Sequence, residues 1–136
     1  MEGMIKGYKA NIEKVTLENQ DFRKVVYTAK YCQLVLMSLA PAEQIGEEVH
    51  KEGDQFFRFE KGEGKVIINE TQYQVGDGDS VIVPAGAKHN VINTSSTEPL
   101  KLYTIYAPPH HKDKIIRATR EEAIAQEAPF DGSTTE

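Results

Sequence analysis

The spacing of apolar and polar residues predicts a chain made of short strands. Residues 22–39 are rich in Val, Tyr, Leu and Thr, and a polar break at Ala29 and Lys30 divides them into two strands. Further on, two apolar runs flank Asn69, a residue that favours turns, so we expect a hairpin there. More apolar runs follow at short spacing, at 81–83, 90–93 and 100–107. Many short strands without a long helical period predict an all-β sandwich or barrel.

The C-terminal part of the sequence contains the only helix that the pattern predicts. Thr119 is followed by Arg120, Glu121 and Glu122, which is the order of a capping box, and a short alanine-rich run comes next. Residues 129–136 are small and polar and offer little apolar surface for docking. We therefore expect a short helix near the C-terminus and a disordered tail after it.

Composition narrows the possible partners and compartments. The chain has 136 residues, which suits one domain, and its formal charge of −5 comes without a cluster of Lys and Arg, so neither nucleic acid nor an anionic membrane is expected as a partner. No apolar stretch has the length of a membrane span or of a signal-peptide core, which predicts a cytoplasmic protein. The single cysteine, Cys32, excludes an internal disulfide and fits a reducing compartment, and we expect it as a buried strand thiol.

Residues 78–93 carry the most specific pattern in the chain. A short β-branched run leads into Pro84, which presets φ, and then into Gly86, which can adopt a positive φ. His89 follows at the start of the next strand, with an imidazole that can bind a metal. The five fixed points of the pattern are Gly78, Pro84, Gly86, His89 and Asn93.

A second candidate segment lies around His50. Side chains two residues apart on a strand share a face, so Glu48 and His50 point the same way, and both can bind a metal. In the next apolar run Gln55, Phe57 and Phe59 share one face. Gln55 would look into the same interior as Glu48 and His50 if the two strands were hairpin neighbours. Simpler explanations compete. Glu48 would belong to a solvated acidic run, His50 would be an ordinary core or surface imidazole, and Gln55 would cap a hairpin. The two phenylalanines would pack in the core.

These two segments, with the spacing between them, resemble the two signature motifs of the cupin superfamily. The second motif runs Gly, five residues, Pro, one, Gly, two, His, three, Asn, and is complete at 78–93. The first motif runs Gly, five residues, His, one, His, three or four, Glu, six, Gly, and its last position falls on Gly62. Three of its identities are replaced, with Ala42 at the opening Gly, Glu48 at the first His and Gln55 at the Glu.

The resemblance implies a double-stranded β-helix, or jelly roll, with one divalent transition metal inside the barrel. By position in the motifs, its ligands are Glu48, His50, Gln55 and His89. Two imidazoles and one carboxylate accept Zn, Mn, Fe or Ni and leave positions open for water or substrate. The chain then divides into N-terminal strands, the cupin barrel core, a C-terminal segment with the short helix, and the tail, at 1–33, 34–109, 110–128 and 129–136.

The strand at 100–107 resembles the closing strand of small cupins, whose alternate residues face the pocket mouth. With the aromatic face of the earlier strand, this likeness gives a substrate pocket of Phe57, Phe59, Thr104 and Tyr106. Small cupins that linearise unsaturated uronates also carry Gln in the first motif, but they have an acid and an arginine on this strand. This chain has Thr104 and His110 there, so we do not transfer that activity. His110 and His111 are expected to point apart as a solvated pair.

The sequence thus predicts a small metal-binding cupin that acts on a polar small molecule, such as a sugar or a carboxylate, by isomerase, lyase or hydrolase chemistry. Many proteins of this appearance are labelled as resembling mannose-6-phosphate isomerase, which is a fold-level analogy. Two other classes stay open: a non-haem iron dioxygenase, and a module that binds a metabolite without turnover. Whether the protein is an enzyme also stays open. Because cupins commonly pair through their sheets, we expect a homodimer.

Overall fold

The computed structural model describes residues 4–136 and folds them into two antiparallel sheets that share one core. The strands within this range are β1 Arg23–Thr28, β2 Gln33–Leu39, β3 Glu48–Val49, β4 Asp54–Lys61, β5 Glu63–Ile68, β6 Thr71–Gly76, β7 Ser80–Val83, β8 Lys88–Asn93, β9 Leu100–Ala107 and β10 Ile116–Arg117. One sheet has the order β10-β1-β2-β9-β4-β7, and the other has the order β3-β8-β5-β6. This architecture confirms the predicted all-β jelly roll.

The core is lined by alternate residues of the central strands, because successive side chains on a strand point to opposite faces. On β4, Gln55, Phe57 and Phe59 are buried, whereas Arg58 between them is only half-buried. Strand β9 repeats the alternation from Leu102 to Tyr106 and lies beside β4 in the sheet. The faces inferred from the sequence therefore agree with the burial of these strands.

Three turns depend on residues that tolerate a positive φ. Asn69, in the β5–β6 hairpin, has a φ of 51°, and Gly78, in the β6–β7 turn, has a φ of 86°. Gly62, at the end of the first motif, has a φ of 102°, and a Cβ there would lie 2.5 Å from the carbonyl oxygen of Pro99. The last glycine of the motif is thus required both by backbone conformation and by close approach of another chain segment.

Asn93, the last fixed point of the second motif, has a structural role. Its buried side-chain amide donates to the carbonyl groups of Leu39, Ala40 and Glu98 over 3.2, 3.0 and 2.9 Å. Its side-chain oxygen accepts from the amide of Ser95 over 2.9 Å. One residue therefore ties the end of β2 to the loop between β8 and β9.

The predicted C-terminal helix is present as α2, Arg120–Ala125, and the Thr119 hydroxyl caps it by accepting from the Glu122 amide over 3.1 Å. A second helix, α1 Ile12–Glu18, corrects the prediction of only one. The side chain of Asn11 caps α1, and the helix packs over β4 and β9, so tertiary contacts stabilise a segment too short to show a clear period. Neither helix in residues 4–136 has the length and apolar character needed to cross a membrane.

The C-terminal residues differ from the predicted disordered tail. The carboxylate of Glu136 accepts from the amides of Lys6 and Gly7 over 3.0 and 2.9 Å, and from the hydroxyl of Tyr27 over 2.6 Å. Polar contacts to the N-terminal segment and to β1 therefore hold this segment, in place of the apolar docking that its composition lacks.

Cys32 also differs from its prediction. The residue precedes β2, in the connection from β1, and its side chain is exposed. The polar break at Ala29 and Lys30 extends this connection as far as Cys32, so the thiol lies outside the buried part of the strand.

Candidate metal centre

The turn at 84–86 positions the backbone of the first motif. Gly86 adopts a φ of 89°, and its amide donates to the carbonyl of His50 over 2.9 Å. The amide of Ala85 donates to the carboxylate of Asp54 over 2.8 Å. The glycine-containing turn of the second motif therefore fixes both ends of the loop between β3 and β4.

His89 lies on β8, is 3% exposed, and presents a defined tautomer. Its Nδ1 is 3.0 Å from the carbonyl oxygen of Ala87. A carbonyl oxygen can only accept, so Nδ1 carries the proton and Nε2 keeps its lone pair. This hydrogen bond orients the ring in the way that backbone carbonyls commonly orient metal-binding histidines.

Strand pairing brings the carboxylate to the imidazoles. Glu48 on β3 is directly opposite His89 on β8, so the two side chains share one face. His50 follows β3, and its Nε2 lies 3.9 Å from the Glu48 carboxylate. The ligand atoms of Glu48, His50 and His89 all lie within 4.8 Å of one another. We call this group the triad.

Unpartnered buried atoms mark the centre of the site. Among residues 4–136, Nε2 of His50, Nε2 of His89 and Oε1 of Gln55 are buried without a hydrogen-bond partner. Leaving a buried polar atom unpaired costs about 1–3 kcal/mol, so the imidazoles of His50 and His89, whose ligand atoms lie within 4.8 Å of each other, call for a common partner. A divalent transition metal would suit the two imidazole nitrogens and the adjacent carboxylate.

The protonation state of His50 also suits a ligand. Burial lowers the pKa of His50, because the interior disfavours the charged ring. The neighbouring His89 lowers it further, whereas the charge of Glu48 raises it. Since the net direction is down, the neutral form of His50 predominates at neutral pH, and this is the form that binds a metal.

Gln55 reaches the core from the other sheet. Strands β3 and β4 lie in different sheets, so the hairpin pairing considered for them is not formed. The Gln55 amide group donates to the hydroxyl of Thr104 over 2.9 Å, and that hydroxyl donates to the carbonyl of Phe56 over 2.9 Å. Thr104 thereby fixes the amide of Gln55 and leaves its oxygen available.

The four residues predicted for the pocket divide into two groups. Phe57, Phe59 and Thr104 are at most 1% exposed and belong to the core, with the Phe57 ring 6.3 Å from that of His89. Tyr106 lines a cavity, and its ring meets the His50 ring edge-on at 5.8 Å. Burial raises the pKa of Tyr106, and the charge of Glu48 adds to the increase, so its hydroxyl stays protonated.

His110 is exposed, as expected from the sequence, but His111 is buried, so the two do not form a solvated pair. Their ring centroids are 4.7 Å apart, and His111 is buried with its Nε2 3.3 Å from the hydroxyl of Tyr106. The ring of His110 stacks on Tyr106 at 5.2 Å and meets His50 at 4.4 Å. Adjacent residues after a strand end need not alternate, so both rings reach the site.

Two cavities open beside the triad, and His110 lines both. The larger, which we call the arginine cavity, has a volume of about 560 Å³, and its walls include Arg23, Glu48, His111, Ile115 and Arg120. The smaller has a volume of about 380 Å³, and its walls include His50, Asp54, Tyr106, Pro108 and Pro109. Volumes of this size are typical of sites for small molecules.

Arg23 and Arg120 could not be recognised in the sequence as part of the site. Arg23 lies on β1 and Arg120 begins α2, so both lie outside the two motifs. Their charges gave no signal, because isolated arginines on a sequence are usually solvated. Only the packing of β1, β10 and α2 beside the barrel mouth brings them to the cavity.

Comparisons with known proteins agree with this fold. The family model described as cupin domain matches residues 35–106. The protein YrkC of Bacillus subtilis (strain 168) is 44% identical over 128 residues, which cover 90% of this chain and 68% of that protein. The protein L612 of Acanthamoeba polyphaga mimivirus is 40% identical over 119 residues, which cover 85% of this chain and 74% of that protein.

A solved structure extends the likeness beyond the barrel. The crystal structure of BH2720 from Bacillus halodurans has a TM-score of 0.86 at 39% identity, and the match covers 89% of this chain and 96% of that chain. The family model alone spans more than half of the residues. The chain therefore belongs to the cupin family.

Proposed function

We propose that the protein binds one divalent transition metal through Glu48, His50 and His89, and that the metal acts on a polar small molecule. The observation that carries this proposal is the convergence of two unpartnered imidazole nitrogens and a carboxylate within 4.8 Å. The oxygen of Gln55 is a fourth candidate, because it is buried and unpartnered as well. Sugars and carboxylates are the compounds we expect in the adjoining cavities.

The residues around the triad would support chemistry at a bound metal. When bound, the metal would supply Lewis-acid chemistry, which polarises a carbonyl or lowers the pKa of a water molecule, as isomerases, lyases and hydrolases require. The neutral hydroxyl of Tyr106 can donate a hydrogen bond, and the Gln55 oxygen can accept one. The ring of Phe57 lies edge-on to His89 and keeps water from that side.

The test is metal content measured by mass spectrometry on protein purified without chelator. We expect one equivalent of metal in the wild type and a near-complete loss in His89→Ala, with a lower melting temperature. Glu48→Gln should weaken binding, because it removes the only charged donor of the triad. Glu47→Gln is the matched control, since the Glu47 carboxylate is exposed and pairs with Lys88 at 3.4 Å.

Two results would decide against the proposal. An unchanged stoichiometry in His89→Ala would remove the histidine from the ligand set. Equal losses in Glu48→Gln and Glu47→Gln would show that the effect comes from general charge and not from ligation.

Reaction class is decided by a second measurement on the metal-loaded protein. Turnover with zinc favours Lewis-acid chemistry, whereas oxygen uptake that requires iron favours the dioxygenase alternative. Stabilisation by a metabolite without turnover favours a binding module. The likeness to mannose-6-phosphate isomerase stays a prediction, because no comparison above bears on it.

A further inference from the structure

Three arginines gather at one side of the barrel mouth. Arg23 and Arg120 line the arginine cavity, and Arg117 on β10 is directly opposite Arg23 on β1. Like charges directly opposite each other on neighbouring strands are destabilising unless something neutralises them. The formal charge of the whole chain is −5, so this positive cluster is not a consequence of a basic composition.

The arginines lack acidic partners. Within residues 4–136, the salt bridges join His50 to Glu48, Arg58 to Glu60 and Lys88 to Glu47, and none includes Arg23, Arg117 or Arg120. Arg23 is half-buried, and its Nε has no hydrogen-bond partner. A buried guanidinium nitrogen without an acceptor is costly, which points to an acceptor supplied from outside the chain.

None of the carboxylates that line the cavity forms a salt bridge with an arginine in the described part of the chain. Glu48 belongs to the triad, and Glu47 pairs with Lys88. Glu127 is exposed and forms no salt bridge within 4.0 Å in the described part of the chain. The cavity therefore keeps positive charge on the side of Arg23 and Arg120.

We propose that the arginine cavity binds an oxyanion group of the ligand, a carboxylate or a phosphate, with Arg23 as its main anchor and Arg120 as the second. The ligand class is then a small organic anion. The guanidinium group suits this role, because its fork of donors matches the oxygen pairs of carboxylates and phosphates.

The cavity also connects the anion site to the triad. Glu48 lines the cavity together with both arginines, so a ligand held by Arg23 would extend toward the metal ligands. Gly46 leaves room for Arg120, since a Cβ at that position would lie 3.2 Å from a terminal guanidinium nitrogen. The charge of Arg23 reaches the buried rings as well, because after burial it is the next cause that lowers the pKa of His111.

This inference rests on the proposed function for the reaction at the other end of the ligand, but anion binding itself requires no metal. The experiment is therefore calorimetric titration of chelator-treated protein with malonate and, separately, with inorganic phosphate at constant ionic strength. Malonate tests a carboxylate and phosphate tests a phosphoryl group. We expect at least one of the two anions to bind. The anion that binds more tightly identifies the preferred group, a carboxylate or a phosphoryl group.

Arg23→Gln should weaken that affinity about tenfold or more, which is typical when a charged hydrogen-bond donor is lost. Lys24→Gln is the matched control, because it removes the same charge from the next residue of β1, whose side chain points to the other face. If Arg23→Gln does not fold, as judged by near-UV circular dichroism, Arg120→Gln on the short helix is the second variant, with a smaller loss expected.

Three outcomes would overturn the anion site. These are no binding of either anion to the wild type, equal affinity in wild type and Arg23→Gln, or an equal loss in Lys24→Gln. A protein that binds malonate without metal but holds no metal would refute the proposed function and leave the anion site intact. A protein that holds the metal but binds neither anion would refute the anion site and leave the proposed function intact.

Discussion

At the scale of single residues, Ala42 occupies the opening position of the first motif, where the cupin pattern has glycine, and adopts a positive φ. Its φ is 62°, in the left-handed region, and its amide donates to the carbonyl of Ser95 over 2.8 Å. For a residue with a Cβ, this conformation costs about 1–2 kcal/mol. Glycine, the residue of the motif pattern, would adopt this conformation without that cost.

We predict that Ala42→Gly stabilises the protein by about 1 kcal/mol, because relief of the left-handed strain exceeds the entropy that glycine adds to the unfolded chain. Urea unfolding measures the change. Ala85→Gly is the control, since Ala85 is equally exposed but has no positive φ, and it should lower stability. A loss of stability in both variants would contradict the strain at Ala42.

Single residues also explain which part of the candidate metal site could be predicted. His89 was identifiable because the turn before it needs glycine and proline at fixed distances. Glu48 and His50 followed from the resemblance of their segment to the first cupin motif. Gln55 was named from its motif position, but the orientation of its amide could not be foreseen, because it depends on the hydroxyl of Thr104, which lies on a strand far along the sequence.

At the scale of elements, short strands were predictable where turns flank them, and α2 was predictable from its capping box, but α1 and the ordered segment 129–136 were not. The segment 129–136 is held by polar contacts that no hydrophobic pattern reveals, and α1 depends on packing over β4 and β9. Apolar periodicity and local capping motifs can be recognised in a sequence, but polar contacts between segments far apart in the chain cannot.

The contact of the Glu136 carboxylate with the N-terminal segment and Tyr27 depends on pH. The hydroxyl of Tyr27 lowers the pKa of Glu136 below its ordinary value of 4.5, and the amides of Lys6 and Gly7 add to this. A lowered pKa means that the contact is fully present above pH 4.5 and is lost as the pH falls through the lower value of the folded protein. The stabilisation is therefore lost on acidification.

We expect the amide proton of Gly7, followed by two-dimensional NMR from pH 7 to pH 3, to shift with a midpoint below 4.5. Glu136→Gln should abolish this transition, because it removes the titrating carboxylate. Glu127→Gln should leave the transition in place. Persistence of the shift in Glu136→Gln would assign it to another group.

At the scale of the whole molecule, an apolar row crosses the outer face of the larger sheet. Phe56 is directly opposite Ile82 on one side and Ile105 on the other, and Leu34 lies opposite Ile105. Helix α1 packs over β4 and β9, whereas Ile82 on β7, at one end of the row, is 66% exposed. Contiguous apolar surface on a sheet commonly marks a protein interface.

We therefore propose a homodimer through this face and predict a solution mass of twice one chain by light scattering. Ile82→Lys should shift the equilibrium to the monomer, since it places a charge in the row. Ile124→Lys is the control, because Ile124 is 60% exposed on α2 and lies away from the larger sheet's outer face. A wild-type mass of one chain at every concentration would refute the dimer.

The arginine cavity has a consequence for biosynthesis. Its walls come from β1, near the beginning of the chain, and from α2 and the residues before it, near the end. On the ribosome, the triad can be complete while α2 is still inside the exit tunnel. A nascent chain at that stage would have the candidate metal ligands and Arg23 in place but not Arg120, so the proposed anion site would be completed only when α2 leaves the tunnel.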